Sequence, residues 1–189
     1  MGNGEITMNT KRACLLLGYG SSGPNHWQNR WEAADPIFVR VPMPDWKTAA
    51  YDTGCKMLDK VIAAAGKERV VLAAHSLGSL VTVFWAMRYA SAAQLSKVAG
   101  ALLVAVPNPE KLFFANEAHG FADIPMAPLP FPTITVASTN DPFAEIEFVQ
   151  RCANAWASRF VEIGPCGHID EQSGLGAWEA GRELLAEFD

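Results

Sequence analysis

Residues 74–78 read Ala-His-Ser-Leu-Gly and join an apolar run, RVVLAA, to a helical pattern, SLGSLVTVFWAM. Small residues two before and two after a serine suit a tight strand-to-helix turn. A larger side chain at either place would collide with the adjoining strand or helix. The stretch departs from the nucleophile-elbow pattern G-x-S-x-G only at Ala74, one methyl larger than glycine. Ser76 on such a turn stands at a helix N-terminus, where backbone N–H groups favour developing negative charge. Taken alone, the same residues also fit an N-cap serine after a strand.

A serine becomes a nucleophile when a base takes its proton and a third group orients that base. Both partners follow in chain order. Asp141 lies in TITVASTNDPF, just past the apolar run at 133–138, and His168 lies in RFVEIGPCGHID, just past the run at 159–163. Singly, Asp141 reads as a turn or N-cap aspartate before Pro142, and His168 as a loop histidine bonding backbone. Together they supply the serine, acid and histidine of a triad in the order Ser76, Asp141, His168. The oxyanion of such a reaction is expected on the backbone N–H of Leu77 and of Tyr19, in the loop after the first apolar run.

The other candidates fit less well. His75 adjoins the serine, but its ring is expected under the elbow. His26 precedes a tryptophan in the opening loop, and His119 lies in a proline-rich segment. Asp170 is too close to His168 in sequence to orient its ring easily, which leaves Asp123 as the alternative acid. No H-x-x-x-H or C-x-x-C spacing points to a metal. Trp27, Trp46 and Trp85 read as core residues rather than pocket lining.

The elements that must position these groups are legible as six short apolar runs, at 12–17, 36–41, 69–74, 100–106, 133–138 and 159–163. They are near-continuous rather than alternating, as strands covered on both faces require. Helical patterns separate them, and one ends at Gly66, a usual stop position. Alternating β and α implies a mostly parallel, about six-stranded sheet flanked by helices on both faces, with right-handed crossovers. Ser76, Asp141 and His168 then share the C-terminal edge of that sheet. The segment 107–132 breaks the rhythm, with six of the twelve prolines. It is expected over or beside the site, and its small and apolar residues suggest a modest acyl pocket.

The chain has 189 residues, half of them hydrophobic and 19% charged, with a formal net charge of −5. These values fit one domain over 11–189, preceded by a flexible leader at 1–10. The negative charge and the lack of a basic cluster argue against nucleic acid, and no apolar run is long enough to span a membrane. The leader has neither a signal-peptide core nor a myristoylation pattern, since Ile6 stands where Ser or Thr is needed. Cys14, Cys55, Cys152 and Cys166 show no pairing motif, which suits a reducing cytoplasm. Cys166 stands two residues before His168.

The opening loop, Gly18-Tyr19-Gly20-Ser21-Ser22-Gly23, has the G-x-G-x-x-G spacing of a dinucleotide site and makes a nucleotide-binding oxidoreductase the rival class. That reading needs an acidic residue near the end of the second strand. Here Arg40 and Pro42 stand there, and Asp45 lies farther on. The glycines read instead as a turn that aims N–H groups at an oxyanion, so no cofactor is expected.

GYGSSGPNHWQNRWE, PMPDW, HSLGS, ASTNDPF and GHID occur in that order, and with them the chain resembles the small serine hydrolases of the α/β-hydrolase superfamily related to retinoblastoma-binding protein nine and the YdeN-like proteins. The resemblance covers about residues 11 to 187. It implies a compact α/β-hydrolase fold without a large lid domain, esterase-type activity, and a triad falling on Ser76, Asp141 and His168. The expected substrate is a small molecule carrying a short to medium acyl ester. A thioesterase, amidase or acyltransferase would use the same triad, and a noncatalytic interaction module would keep the triad without turnover.

Overall fold

The computed structural model describes residues 12–19, 23–43, 50–111 and 120–188. The expected leader, Gly20, Asp45, Trp46 and His119 lie outside them. Six strands, β1 (Arg12–Leu16), β2 (Phe38–Arg40), β3 (Val70–His75), β4 (Val98–Val104), β5 (Thr133–Ala137) and β6 (Arg159–Glu162), form one sheet in the order β2-β1-β3-β4-β5-β6. Every neighbouring pair runs parallel. All six C-terminal strand ends therefore open on one edge, where connecting loops can converge.

The continuous apolar runs have a packing cause. Along β1, Cys14 and Leu16 face one buried cluster while Ala13 and Leu15 face another. The first cluster lies under α2 (Tyr51–Ala64), α3 (Leu77–Phe84) and α5 (Ile146–Ala155). The second lies under α1 (Trp27–Ala34) and α6 (Glu179–Ala186). All eight residues of α3 are buried, which explains why LGSLVTVF carries no polar face. That helix continues into a wider π-type turn over Trp85–Tyr89, closed by the Ala90 N–H donating to the Trp85 carbonyl at 2.9 Å.

Helix ends differ from the sequence reading where the local backbone overrides periodicity. After β6 the spacing in GLGAWEAGRELLAEF predicts a helix from Gly174, but α6 starts only at Glu179 because Gly174, Gly176 and Trp178 adopt left-handed φ values of 67°, 59° and 45°. A short α4 (Ala92–Leu95) also forms, with too few residues to show helical periodicity. Its signal was present, since Ser91 and Gln94 form a reciprocal capping box of the S-x-x-Q kind. Gly66, at φ 65°, ends α2 as expected.

The described part of the proline-rich segment is fastened down. Phe121 is buried, the Trp156 indole donates to the Pro125 carbonyl at 2.8 Å, and the Leu129 N–H donates to the Trp156 carbonyl at 3.0 Å. The segment thus packs against the end of α5.

Because β4 is central and covered on both faces, Leu103→Ala is expected to lower unfolding free energy by about 2–5 kcal/mol. A urea titration showing a loss under about 1 kcal/mol would mean that this layer collapses to fill the space.

Candidate active site

β3 ends at His75 and α3 begins at Leu77, so Ser76 alone makes the turn, at φ 55° and ψ −125°. A non-glycine residue in this region is strained and persists only where its surroundings over-determine it. Here the Ser76 N–H donates to the Val104 carbonyl of β4, and the Ser76 carbonyl accepts from the Ser79 N–H, both at 2.9 Å. The Ser79 hydroxyl, 3.1 Å from the Ala74 carbonyl and 3.2 Å from that of Val104, ties the strand ends to the helix start.

Two glycines make room for this turn. A Cβ on Gly78 would lie 2.4 Å from the Leu16 carbonyl oxygen, and one on Gly18 would lie 2.6 Å from the Ser76 Cβ. Ala74 needs no such room; it is fully buried and pairs in register with Leu16 and Leu103. The loop after β1 therefore presses Gly18, the residue before Tyr19, against the serine.

The three sequence-predicted residues come together. Ser76 Oγ lies 2.9 Å from His168 Nε2, and His168 Nδ1 lies 2.9 and 3.0 Å from the two Asp141 oxygens. The carboxylate is an acceptor only, so His168 donates from Nδ1, which leaves Nε2 as the acceptor for the serine proton. The Asp141 side chain is 3% exposed, and its Oδ1 also accepts the Phe143 N–H at 2.9 Å. The Phe143 ring stands edge-on to the imidazole, with centroids 4.6 Å apart.

Side chains that the sequence reading did not single out join the two loops. Ser138 Oγ donates to Asn140 Oδ1 at 2.9 Å and accepts the Cys166 N–H at 2.8 Å. Asn140 Oδ1 also accepts the Gly167 N–H at 2.7 Å. In sequence, Ser138 and Asn140 announce only a polar loop.

The rival residues are engaged elsewhere. Asp123 pairs with Arg88 at 2.9 Å, and Asp170 accepts the Gln172 N–H at 2.9 Å. His26 caps α1, accepting the Gln28 N–H at Nδ1. His75 does lie beneath the elbow, yet its ring reaches the His168 carbonyl. Trp27 and Trp85 are buried core residues, as expected. Arg40 pairs with Glu32, and a Cβ on Gly23 would strike Glu171, so Gly23 makes room for that side chain. Among the described residues, no group of three or more His, Cys, Asp or Glu could hold a metal ion. All four cysteines are free, and burial pushes the thiols of Cys14 and Cys55 up to about 12.

A cavity of about 290 Å³ lies between the turn after β4, the segment 122–126 and α5, lined among others by Asn108, Ile124, Met126 and Phe148. Its wall connects to the candidate site, because the Asn108 N–H donates to the Phe143 carbonyl at 2.9 Å.

Comparison with known proteins bears on the family and the fold. A family model described as serine hydrolase matches residues 13–187. A solved structure described as a YdeN-like hydrolase from Pectobacterium atrosepticum is 30% identical, with a TM-score of 0.79 over 94% of this chain and 89% of that one. The ydeN product of Bacillus subtilis is 18% identical, with a TM-score of 0.70 over 95% and 98%. A thermophilic esterase from Thermogutta terrifontis, also 18% identical, has a TM-score of 0.66 over 96% and 92%. These last two share the fold. No curated protein sequence gives a significant match. Among the described residues, no helix is long and apolar enough to cross a membrane.

Burial, foremost, lowers the His26 pKa from 6.5 to about 4, and it holds His75 well below its usual value. Between pH 6.5 and 4 the unfolded chain therefore binds a proton at His26 that the folded chain refuses. Stability falls as pH drops through that window, by about 1.4 kcal/mol per pH unit for each such proton. His26→Asn keeps a capping acceptor and removes one of these protons. Urea titrations across the window should show a slope against pH shallower by up to about one proton, and an unchanged slope would mean that His26 titrates normally in the fold.

Proposed function

The chain belongs to the serine hydrolase family, and on that premise we propose that it cleaves small acyl esters through Ser76, His168 and Asp141. The observation that carries the reading is the continuous link from Ser76 Oγ through His168 to a nearly buried Asp141 carboxylate, each contact at 2.9 Å. Ser76 Oγ attacks the acyl carbonyl while His168 Nε2 takes its proton. Asp141 holds the ring in the Nδ1–H tautomer and stabilises the imidazolium. His168 then protonates the leaving alcohol, and the acyl group stays on Ser76. A water molecule, deprotonated by His168, releases the acid and restores the serine.

Backbone N–H groups of Leu77 and Tyr19 serve as the oxyanion donors in this scheme. Leu77 belongs to the first turn of α3, whose N–H groups have no intrahelical acceptor. The close approach of Gly18 to Ser76 supports the assignment of Tyr19. A small-molecule substrate and a cytoplasmic setting complete the reading, the latter supported by the free cysteines.

Ser76→Ala is expected to reduce p-nitrophenyl acetate hydrolysis at least about 10³-fold with the fold intact. Unchanged turnover would remove Ser76 from the chemistry. Asp141→Asn should lower kcat about 10²–10⁴-fold through the wrong imidazole tautomer, and a loss under about threefold would assign the orienting role elsewhere. A fluorophosphonate probe should label the wild type at Ser76; an unlabelled serine would favour a noncatalytic interaction module. Comparing esters, thioesters and amides in the same assay sets the substrate class.

A further inference from the structure

The backbone that carries the candidate base is itself held in an unfavourable shape. Ile169, next to His168, has φ 52° and is fully buried. A β-branched residue in the left-handed region is a steric outlier that the surroundings must enforce. Within the loop, Gly167 is also left-handed, at φ 57°, and the Ile169 N–H donates to the Cys166 carbonyl at 3.1 Å. These local features form the turn; they do not tie it to the nucleophile.

Two ring N–H groups from distant parts of the chain do. His75 Nε2 lies 2.8 Å from the His168 carbonyl oxygen, and since a carbonyl only accepts, the imidazole donates. The Trp27 indole N–H donates to the next carbonyl, that of Ile169, at 2.9 Å. We propose that His75 and Trp27 are positioning residues, whose two N–H groups pin consecutive carbonyls at the His168–Ile169 turn and so aim the His168 imidazole at Ser76. The inference rests on reading His168 as the base.

The covalent arrangement gives His75 a particular leverage. It is the last residue of β3 and directly precedes Ser76. One strand end thus delivers both the nucleophile and the group that holds the base, so a displacement of that end moves the two together. The donors are themselves fixed by packing. The Trp27 ring packs edge-on against Trp31 and Trp178, at centroid distances of 4.5 and 5.0 Å. His26 packs against both donors, 4.7 Å from His75 and 5.3 Å from Trp27. Neither donor contacts the Ser76 hydroxyl, so both act through the placement of His168. His75 is also suited to stand 4.9 Å from the His168 ring, because burial keeps it neutral and it adds no like charge when His168 takes a proton.

The test separates a donor from a space-filler. His75→Phe keeps a ring and removes the N–H, whereas His75→Gln carries an amide N–H the same number of bonds from Cβ. With folding verified by thermal melts, His75→Phe should lower kcat about tenfold or more with KM within about twofold, since misplacing a catalytic group costs rate rather than binding. His75→Gln should recover to within about threefold of wild type, and adding Trp27→Phe to His75→Phe should cost less than the product of the single losses, because both act on one turn. An unchanged kcat in His75→Phe, or equal losses in the Phe and Gln variants, would overturn the proposal. If His75→Phe does not fold, His75→Met replaces it as the donor-less variant under the same comparison. Proton NMR of the His168 Nδ1–H bonded to Asp141 reads the same effect without turnover: its low-field signal should persist in His75→Gln and broaden in the donor-less variant. If the wild type lacks esterase activity, that signal alone decides the positioning role, and persistence in the donor-less variant overturns it.

Discussion

The close approach of two backbones at the end of β1 and β3 is the constraint on which the rest depends. Leu16 presents its carbonyl where Gly78 would carry a side chain, and Gly18 passes where only hydrogen fits beside Ser76. The absence of side chains there leaves room for Ser76 at its positive φ of 55°. The same contact sets the loop after β1 against the serine. Elbow and proposed oxyanion donor are therefore two consequences of one steric condition. Glycine at 18 and 78 satisfies it, and a side chain at either place would drive the strand and helix apart.

Strain at such a site is retained because hydrogen bonds around it are inward and shared. At the elbow, Val104 accepts the Ser76 N–H while the Ser79 hydroxyl ties the adjoining carbonyls. On the acid and histidine side, Ser138 and Asn140 link the backbones of the two loops. The parallel sheet makes this economical, since adjacent strands bring the loops out side by side. Polar side chains then need to reach only to the neighbouring loop. A buried aromatic layer of Trp27, Trp31 and Trp178 supports the histidine turn from below.

The opening glycines show how one spacing serves two chemistries. G-x-G-x-x-G after a strand exposes amides at the mouth of a helix, which suits a pyrophosphate as well as an oxyanion. The approach of Gly18 to the serine supports the proposed second use. Arg40, at the end of β2, is taken up by Glu32 and Asn29. The glycine spacing by itself does not separate the uses; the residues at the end of β2 and the serine beside Gly18 do.

Local chemistry made much of the protein legible in one dimension. Apolar runs without alternation marked the inner strands, covered on both faces, while the edge strands β2 and β6 are partly exposed; Gly66 marked a helix stop, and the order Ser76, Asp141, His168 marked the candidate site. The first two follow from burial and short-range sterics, whereas the third is a chain order that the shared sheet edge turns into contacts. The capping box at Ser91 and Gln94 is equally local. Tertiary structure alone decided the rest. Only the strand order brings His75 beneath the His168 carbonyl and Trp27, 142 residues away in sequence, to the carbonyl of Ile169. A histidine beside a serine and a tryptophan opening a helix look like ordinary core residues in the chain. Their hydrogen bonds end on backbone carbonyls, which every residue possesses, so no side-chain pattern could announce the partner.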